Sequence, residues 1–165
     1  MAGTPSSKSE FPPLLEKGRH QMSLLDLREL CSNGFPLSTT RSKIMDGLER
    51  IFEKLRSDSI KGEVWVDGSF VTAKINPEDA DLILRCPADF YENGTPKQRG
   101  TVDWLRSNLK NTHLCDSYCF MEWTEGHPNY WVGEYMYSYW MKQFGFSRSS
   151  EMKGIAVVAL PGGAQ

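Results

Sequence analysis

Three observations predict a mixed α/β fold in one domain. Two short apolar runs, residues 64–66 and 82–84, flank a polar turn closed by Asn76-Pro77 and read as an antiparallel strand pair. Just upstream, Ile44, Met45, Leu48, Ile51, Phe52 and Leu55 recur at helical spacing and form the buried stripe of a long helix. Downstream, helical and strand-like segments alternate, the pattern of a sheet flanked by helices. A chain of 165 residues can fill one such core.

Taken in order, residues 1–13 read as a flexible tail, 14–160 as the domain and 161–165 as a second tail. Residues 14–22 form an irregular lead-in containing Gly18 and His20. Ser23 and Asp26 have capping-box spacing, and Leu24, Leu27 and Cys31 share the face of a helix stopped by Asn33-Gly34. The long helix follows Pro36 with Ser38 as its expected cap. Its outer side carries Arg41, Lys43, Glu49, Arg50 and Lys54. Residues 88–100, with Asn93-Gly94 and Pro96, read as irregular, and 101–110 as a helix with Val102, Leu105 and Leu109 inward. Residues 113–122 alternate as a strand. His113, Cys115, Ser117 and Cys119 share one face; Asp116, Tyr118, Phe120 and Glu122 share the other. An aromatic helix over 129–144 ends at Gly145, and 154–160 is a last β-rich strand.

A formal net charge of −2 argues against non-specific attachment to nucleic acid or anionic membrane. No apolar run reaches the roughly 20 residues of a bilayer span. The four cysteines lack a framework spacing, and the first residues lack the apolar core of a signal peptide. The expectation is a reduced, cytoplasmic protein.

The residues that carry chemistry lie in the strand pair. Asp79 and Asp81 alternate onto one side of a strand, with Cα atoms about 6–7 Å apart. Carboxylates so close repel and titrate together, and a hard divalent cation such as Mg2+ is their natural partner. Gly68-Ser69 follows the first strand, where a glycine admits close approach and a helix opening offers N–H groups to phosphate. Carboxylates beside a phosphate cradle suit phosphoryl or nucleotidyl transfer.

Gly68-Ser69 followed by Asp79-Ala80-Asp81 resembles the Gly-Ser…Asp-x-Asp signature of the polymerase-β-like nucleotidyltransferase superfamily. The fuller run from Gly68 to Asp81 is similar to that of a small family of standalone bacterial domains of unassigned function. Gly18 and His20, Arg41, and Lys153-Gly154-Ile155 extend the likeness over about residues 14–160. Ala80 stands where the superfamily carries a branched apolar residue, a packing change that leaves both carboxylates in place. The resemblance implies that Gly68 and Ser69 hold the phosphates of a nucleoside triphosphate, with ATP the default. It implies that Asp79, Asp81 and a third carboxylate hold Mg2+ or Mn2+ and are catalytic. Asp116 is the candidate for that third position and Glu122 its rival. It also implies transfer of a nucleoside monophosphate to a hydroxyl of a protein or RNA. A partner from a toxin–antitoxin or anti-phage module would be in keeping.

Lys74, Arg148 and Lys153 are candidate cations for the triphosphate, and each also reads as a solvated surface charge. His113, Cys115 and Cys119 lack the tight Cys-x-x-Cys knuckle of zinc sites and read as packing or free thiols. Trp131, Tyr135, Tyr139 and Trp140 read as core at helical spacing, with base stacking the alternative. Arg99, Arg106 and Lys110 read as a solvated helix face. The competing functional reading is a catalytically silent nucleotide- or partner-binding module of the same fold, antitoxin-like in role. A third is a structural subunit that pairs through its aromatic helix.

Overall fold

The computed structural model describes residues 10–161. The tails expected at 1–9 and 162–165 lie outside the described residues. Residues 10–13, assigned to the same tail, are held: Pro13 bridges Thr72, and the Ala73 N–H donates to the Pro12 carbonyl at 2.8 Å.

The chain runs β1 (Gly18–Gln21), α1 (Leu24–Arg28), α2 (Arg41–Ser57), β2 (Glu63–Asp67), β3 (Ala80–Pro87), α3 (Ala88–Asn93) and α4 (Pro96–Arg106). It continues with α5 (Lys110–His113), β4 (Cys115–Glu122), α6 (Tyr130–Gly145) and β5 (Gly154–Ala159). A π-helical turn, Glu29–Asn33, extends α1, and a single 3-10 turn, Ser69–Val71, follows β2. The five strands form one sheet in the order β1-β5-β2-β3-β4. As expected, β2 and β3 are antiparallel; β2 is also antiparallel to β5, while β1–β5 and β3–β4 are parallel pairs.

Side chains alternate across this sheet and divide the core in two. Val64, Val66, Leu82, Leu84 and Cys115 pack against α1, α2 and α4, where Leu27, Ile44, Leu48, Ile51, Phe52, Leu55, Val102 and Leu105 are buried. Trp65, Ile83, Phe120, Ile155 and Val157 face the other way, under Phe144 of α6. The result is three layers, helices–sheet–helix. β2, central and buried on both faces, ends at the opening between the sheet and α6.

Local sequence explains most boundaries. Ser23 and Asp26 form the expected reciprocal cap, with the Asp26 N–H donating to Ser23 Oγ at 3.0 Å. Ser38 Oγ accepts the Arg41 N–H at 3.1 Å, so it serves the start of α2 although Thr40 occupies the cap position. Thr95 and Gln98 make a second capping box with Pro96 at the first helical position, so α4 begins before the expected 101. The irregular stretch expected before it contains α3, which buries Ala88. The lead-in contains β1, whose pairing with β5 is invisible to any local pattern.

Two further expectations fail. Arg41 is not on a solvated face but fully buried. Its guanidinium donates to the carbonyls of Cys31 (2.7 Å), Phe70 (2.6 Å), Thr72 (2.6 Å) and Lys74 (2.6 Å) and lies over Phe35. Carbonyl oxygens replace the water such a charge would otherwise keep. The aromatic stripe of α6 is also mostly not core: Trp131 is 76% exposed, Tyr135 68% and Tyr139 43%. The helix seats its Tyr137–Trp140–Met141–Phe144 side on the sheet and turns the other aromatics outward.

Candidate functional site

The strand register assembles the site. Asp81 lies opposite Asp67 on β2 and opposite Asp116 on β4. Residues paired across strands project to the same face, so three carboxylates stand in a row across neighbouring strands about 5 Å apart. They occupy the α6 side of the sheet and line a cleft of about 270 Å3 with Gly68, Lys153, Tyr118, Tyr139, Trp140 and Gln143.

Gly68 turns the chain away from the end of β2 with φ +83°, a conformation open to glycine. A Cβ there would stand 2.7 Å from Asp81 Oδ2, so the missing side chain is what lets the backbone lie against that carboxylate. Arg41 fixes the following loop through its bonds to Phe70, Thr72 and Lys74. The residues after Gly68 make one 3-10 turn, shorter than the helix opening expected there.

Electrostatics set this row apart. Burial pushes the Asp67 carboxyl up to about 7, against the lowering effect of Lys153. Asp67 is 1% exposed, Lys153 Nζ stands 3.3 Å from its Oδ1, and neither carboxylate oxygen has a hydrogen bond. Burial, reinforced by the charges of Asp79 and Asp116, pushes Asp81 up to about 6. Asp116 accepts hydrogen bonds from Asn108 Nδ2 at 2.7 Å and from the Tyr118 hydroxyl at 3.0 Å. Burial and that bond push the Tyr118 phenol up to about 12.

Of the residues singled out by sequence, Gly68, Asp81, Asp116 and Lys153 meet at this cleft. Ser69 is half-buried at the head of the 3-10 turn, next to Gly68. Asp79 sits just before β3 and pairs with Lys110 Nζ at 3.0 Å rather than lining the cleft. Glu122, the rival to Asp116, lies at the far end of β4 in a two-point hydrogen bond with Arg85. Lys74 is elsewhere, its Nζ 5.8 Å from the Phe11 ring centre. Arg148 is exposed and lines a second, larger groove. The cysteines are free thiols, Cys115 buried and Cys119 half-buried.

Asp67 was not anticipated. The available signal was Trp65-Val66-Asp67, an alternation that sets Asp67 on the same face as a buried tryptophan.

Among the described residues, no three His, Cys, Asp or Glu side chains are placed to hold a metal ion by themselves. Mg2+ is commonly held by one or two carboxylates, with phosphate oxygens and water completing its shell. Asp81 and Asp116 fit that lesser demand, with Asp67 beside them in its ion pair with Lys153.

A family model matches residues 9–159, nearly the whole chain. The chain belongs to DUF6932, a family of unknown function. No curated protein and no solved structure matches it. The family match spans β1 through β5 and therefore includes the strands that bring the three aspartates together.

Proposed function

We propose that this DUF6932 domain is a nucleotidyltransferase that moves a nucleoside monophosphate from a nucleoside triphosphate to a hydroxyl group. The observation that carries the reading is the row Asp67–Asp81–Asp116 with Gly68 laid against Asp81. Like charges crowded into a buried opening weaken folding unless something cationic is bound there.

Asp81 and Asp116 would hold Mg2+ or Mn2+. When bound, the ion would offset charge on the phosphates and acidify the attacking hydroxyl. Gly68 lets the turn after β2 lie against the Asp81 carboxylate that would hold the ion. Lys153, only 17% exposed at its side chain, offers a cation that can exchange Asp67 for phosphate oxygen. A cleft of this volume suits the phosphates better than a whole nucleotide, so the nucleoside would extend past Tyr139 and Trp140. In the reaction the acceptor oxygen bonds to the α-phosphorus while the bond from that phosphorus to the bridging oxygen breaks. Pyrophosphate leaves with the electron pair. The hydroxyl proton passes to Asp67, the member of the row left free of the ion, whose burial raises its affinity for a proton.

The test is incubation of the purified chain with Mg2+, α-labelled ATP and cell extract. Label should enter a protein or RNA band, and Asp81→Ala and Asp116→Ala should each abolish it. Equal labelling by wild type and both variants rules this site out. The binding-module reading draws on the Asp79–Lys110 and Asp67–Lys153 contacts, which leave two aspartates engaged. It gains if ATP–Mg2+ raises the melting temperature while nothing is labelled.

A further inference from the structure

Beside the acidic cleft, and sharing Lys153 and Gln143 with it, runs a groove of about 1010 Å3 between α6, the segment 146–153 and the start of β1. Among the described residues its charged lining is of one sign: Lys17, Lys142, Arg148 and Lys153, with no Asp or Glu. Among the described residues, Lys17, Lys142 and Arg148 make no ion pair, whereas the chain as a whole is net negative. Between these cations the walls are apolar, with Met141, Phe146, Met152 and Ile155. Phe146 is 36% and Met152 59% exposed.

We propose that this groove seats the acceptor, and that the acceptor is an acidic peptide segment with aliphatic side chains; the acceptor role rests on the transfer reading above. Charge complementarity requires an anion, and the rim already holds one carboxylate. Glu10 accepts the Ser149 N–H at 2.9 Å and the Ser149 hydroxyl at 2.6 Å, next to Arg148. The apolar walls distinguish a peptide from a nucleic acid. Single-stranded nucleic acid stacks its bases on successive flat aromatic faces; among the described residues these walls carry Phe146, exposed, and Tyr137, half-buried with its ring engaged by Trp65 and Arg85. Thioether and aliphatic surfaces instead adapt to side chains of varied shape. The chain's own residues 1–9 include Lys8 and no carboxylate, so they lack the charge the groove calls for. Continuity through Lys153 would bring a seated peptide's hydroxyl to the aspartate row.

Fluorescence anisotropy tests this with the full chain and three labelled probes: a short Glu/Leu/Ser peptide, its Lys-for-Glu counterpart, and a single-stranded RNA. The acidic peptide should bind at least about ten-fold tighter than the basic one, and Lys142→Glu with Arg148→Glu should reverse that order. Both substituted residues are exposed, and an unchanged melting temperature confirms folding. Equal affinity for the two peptides, or an RNA that displaces the acidic peptide, overturns the proposal. With α-labelled ATP present, binding without labelling supports the groove and counts against transfer. Labelling of the RNA instead supports transfer and overturns the peptide acceptor.

Discussion

The α6-facing surface of the sheet carries ionisable groups at both ends and treats them in opposite ways. At one end Glu63 accepts from Arg19 and Arg85, and Arg85 in turn holds Glu122, so two arginines and two carboxylates alternate. The hydrogen bonds from Trp65 and Arg85 and the charge of Arg19 outweigh burial and hold Glu63 below the usual carboxylate range. At the other end three aspartates face one lysine, and two of them are pushed up. Both ends lie on the same strands, so the fold does not force the imbalance. A chain selected for stability alone would have paired the second end as it paired the first.

The largest break in the comparison is Asp81→Asn. It should lower transfer by about three orders of magnitude or more while leaving the melting temperature unchanged or raised, since it removes a crowded charge. Labelling and thermal denaturation on one preparation check both halves. A melting temperature that falls sharply would mean the aspartate row is structural. At the paired end the opposite holds. Arg85→Ala strands Glu122 and leaves Glu63 to Arg19 and Trp65, both carboxylates being less than a third exposed, and should cost about 2–4 kcal/mol in urea denaturation. Transfer per folded molecule should stay near wild type.

Gly68→Ala should come next, at about 1–3 kcal/mol, because the positive φ and the close Asp81 oxygen both resist a methyl group. Its activity should fall further than its stability, because the methyl group displaces the Asp81 carboxylate proposed to hold the ion.

The two ends should also differ with pH. Asp67 and Asp81 bind protons more tightly folded than unfolded, so raising the pH from about 4 through 7 removes stability. Glu63 behaves in reverse: its contribution is present above its ordinary value of 4.5 and is lost as pH falls through its lowered folded value. Melting temperature should therefore drop by several degrees from about pH 5 to about pH 8, and Asp67→Asn should flatten that slope. A slope that survives the substitution would assign the pH effect elsewhere.

Alternation along single strands made part of this legible. The antiparallel pair, the long helix and the face shared by Asp116 and Tyr118 follow from spacing of two or 3.6 residues. Which carboxylates become neighbours depends on register between strands, a non-local property. Spacing within one strand therefore gives no sign of Asp67 opposite Asp81, and it groups Asp79 with Asp81 although Asp79 does not line the cleft. Arg41 was assigned to solvent because its helical position is polar by composition. The carbonyls that receive it come from loops near Cys31 and between Phe70 and Lys74.

The smallest expected effect belongs to the outward aromatics of α6, which look like its buried ones in sequence and differ in place. Phe144 is buried against the sheet, 5% exposed, and Phe144→Ala should cost about 3–5 kcal/mol. Trp131 and Tyr135, one helical turn apart and largely exposed, bury little that their removal would uncover. Trp131→Ala and Tyr135→Ala should each change stability by no more than about 0.5 kcal/mol. Composition offers no basis for this ordering, since tryptophan is the larger apolar group. A loss above about 2 kcal/mol at Trp131 would mean that this face is covered in solution, and sedimentation of wild type beside the variant would reveal a second copy as the cover.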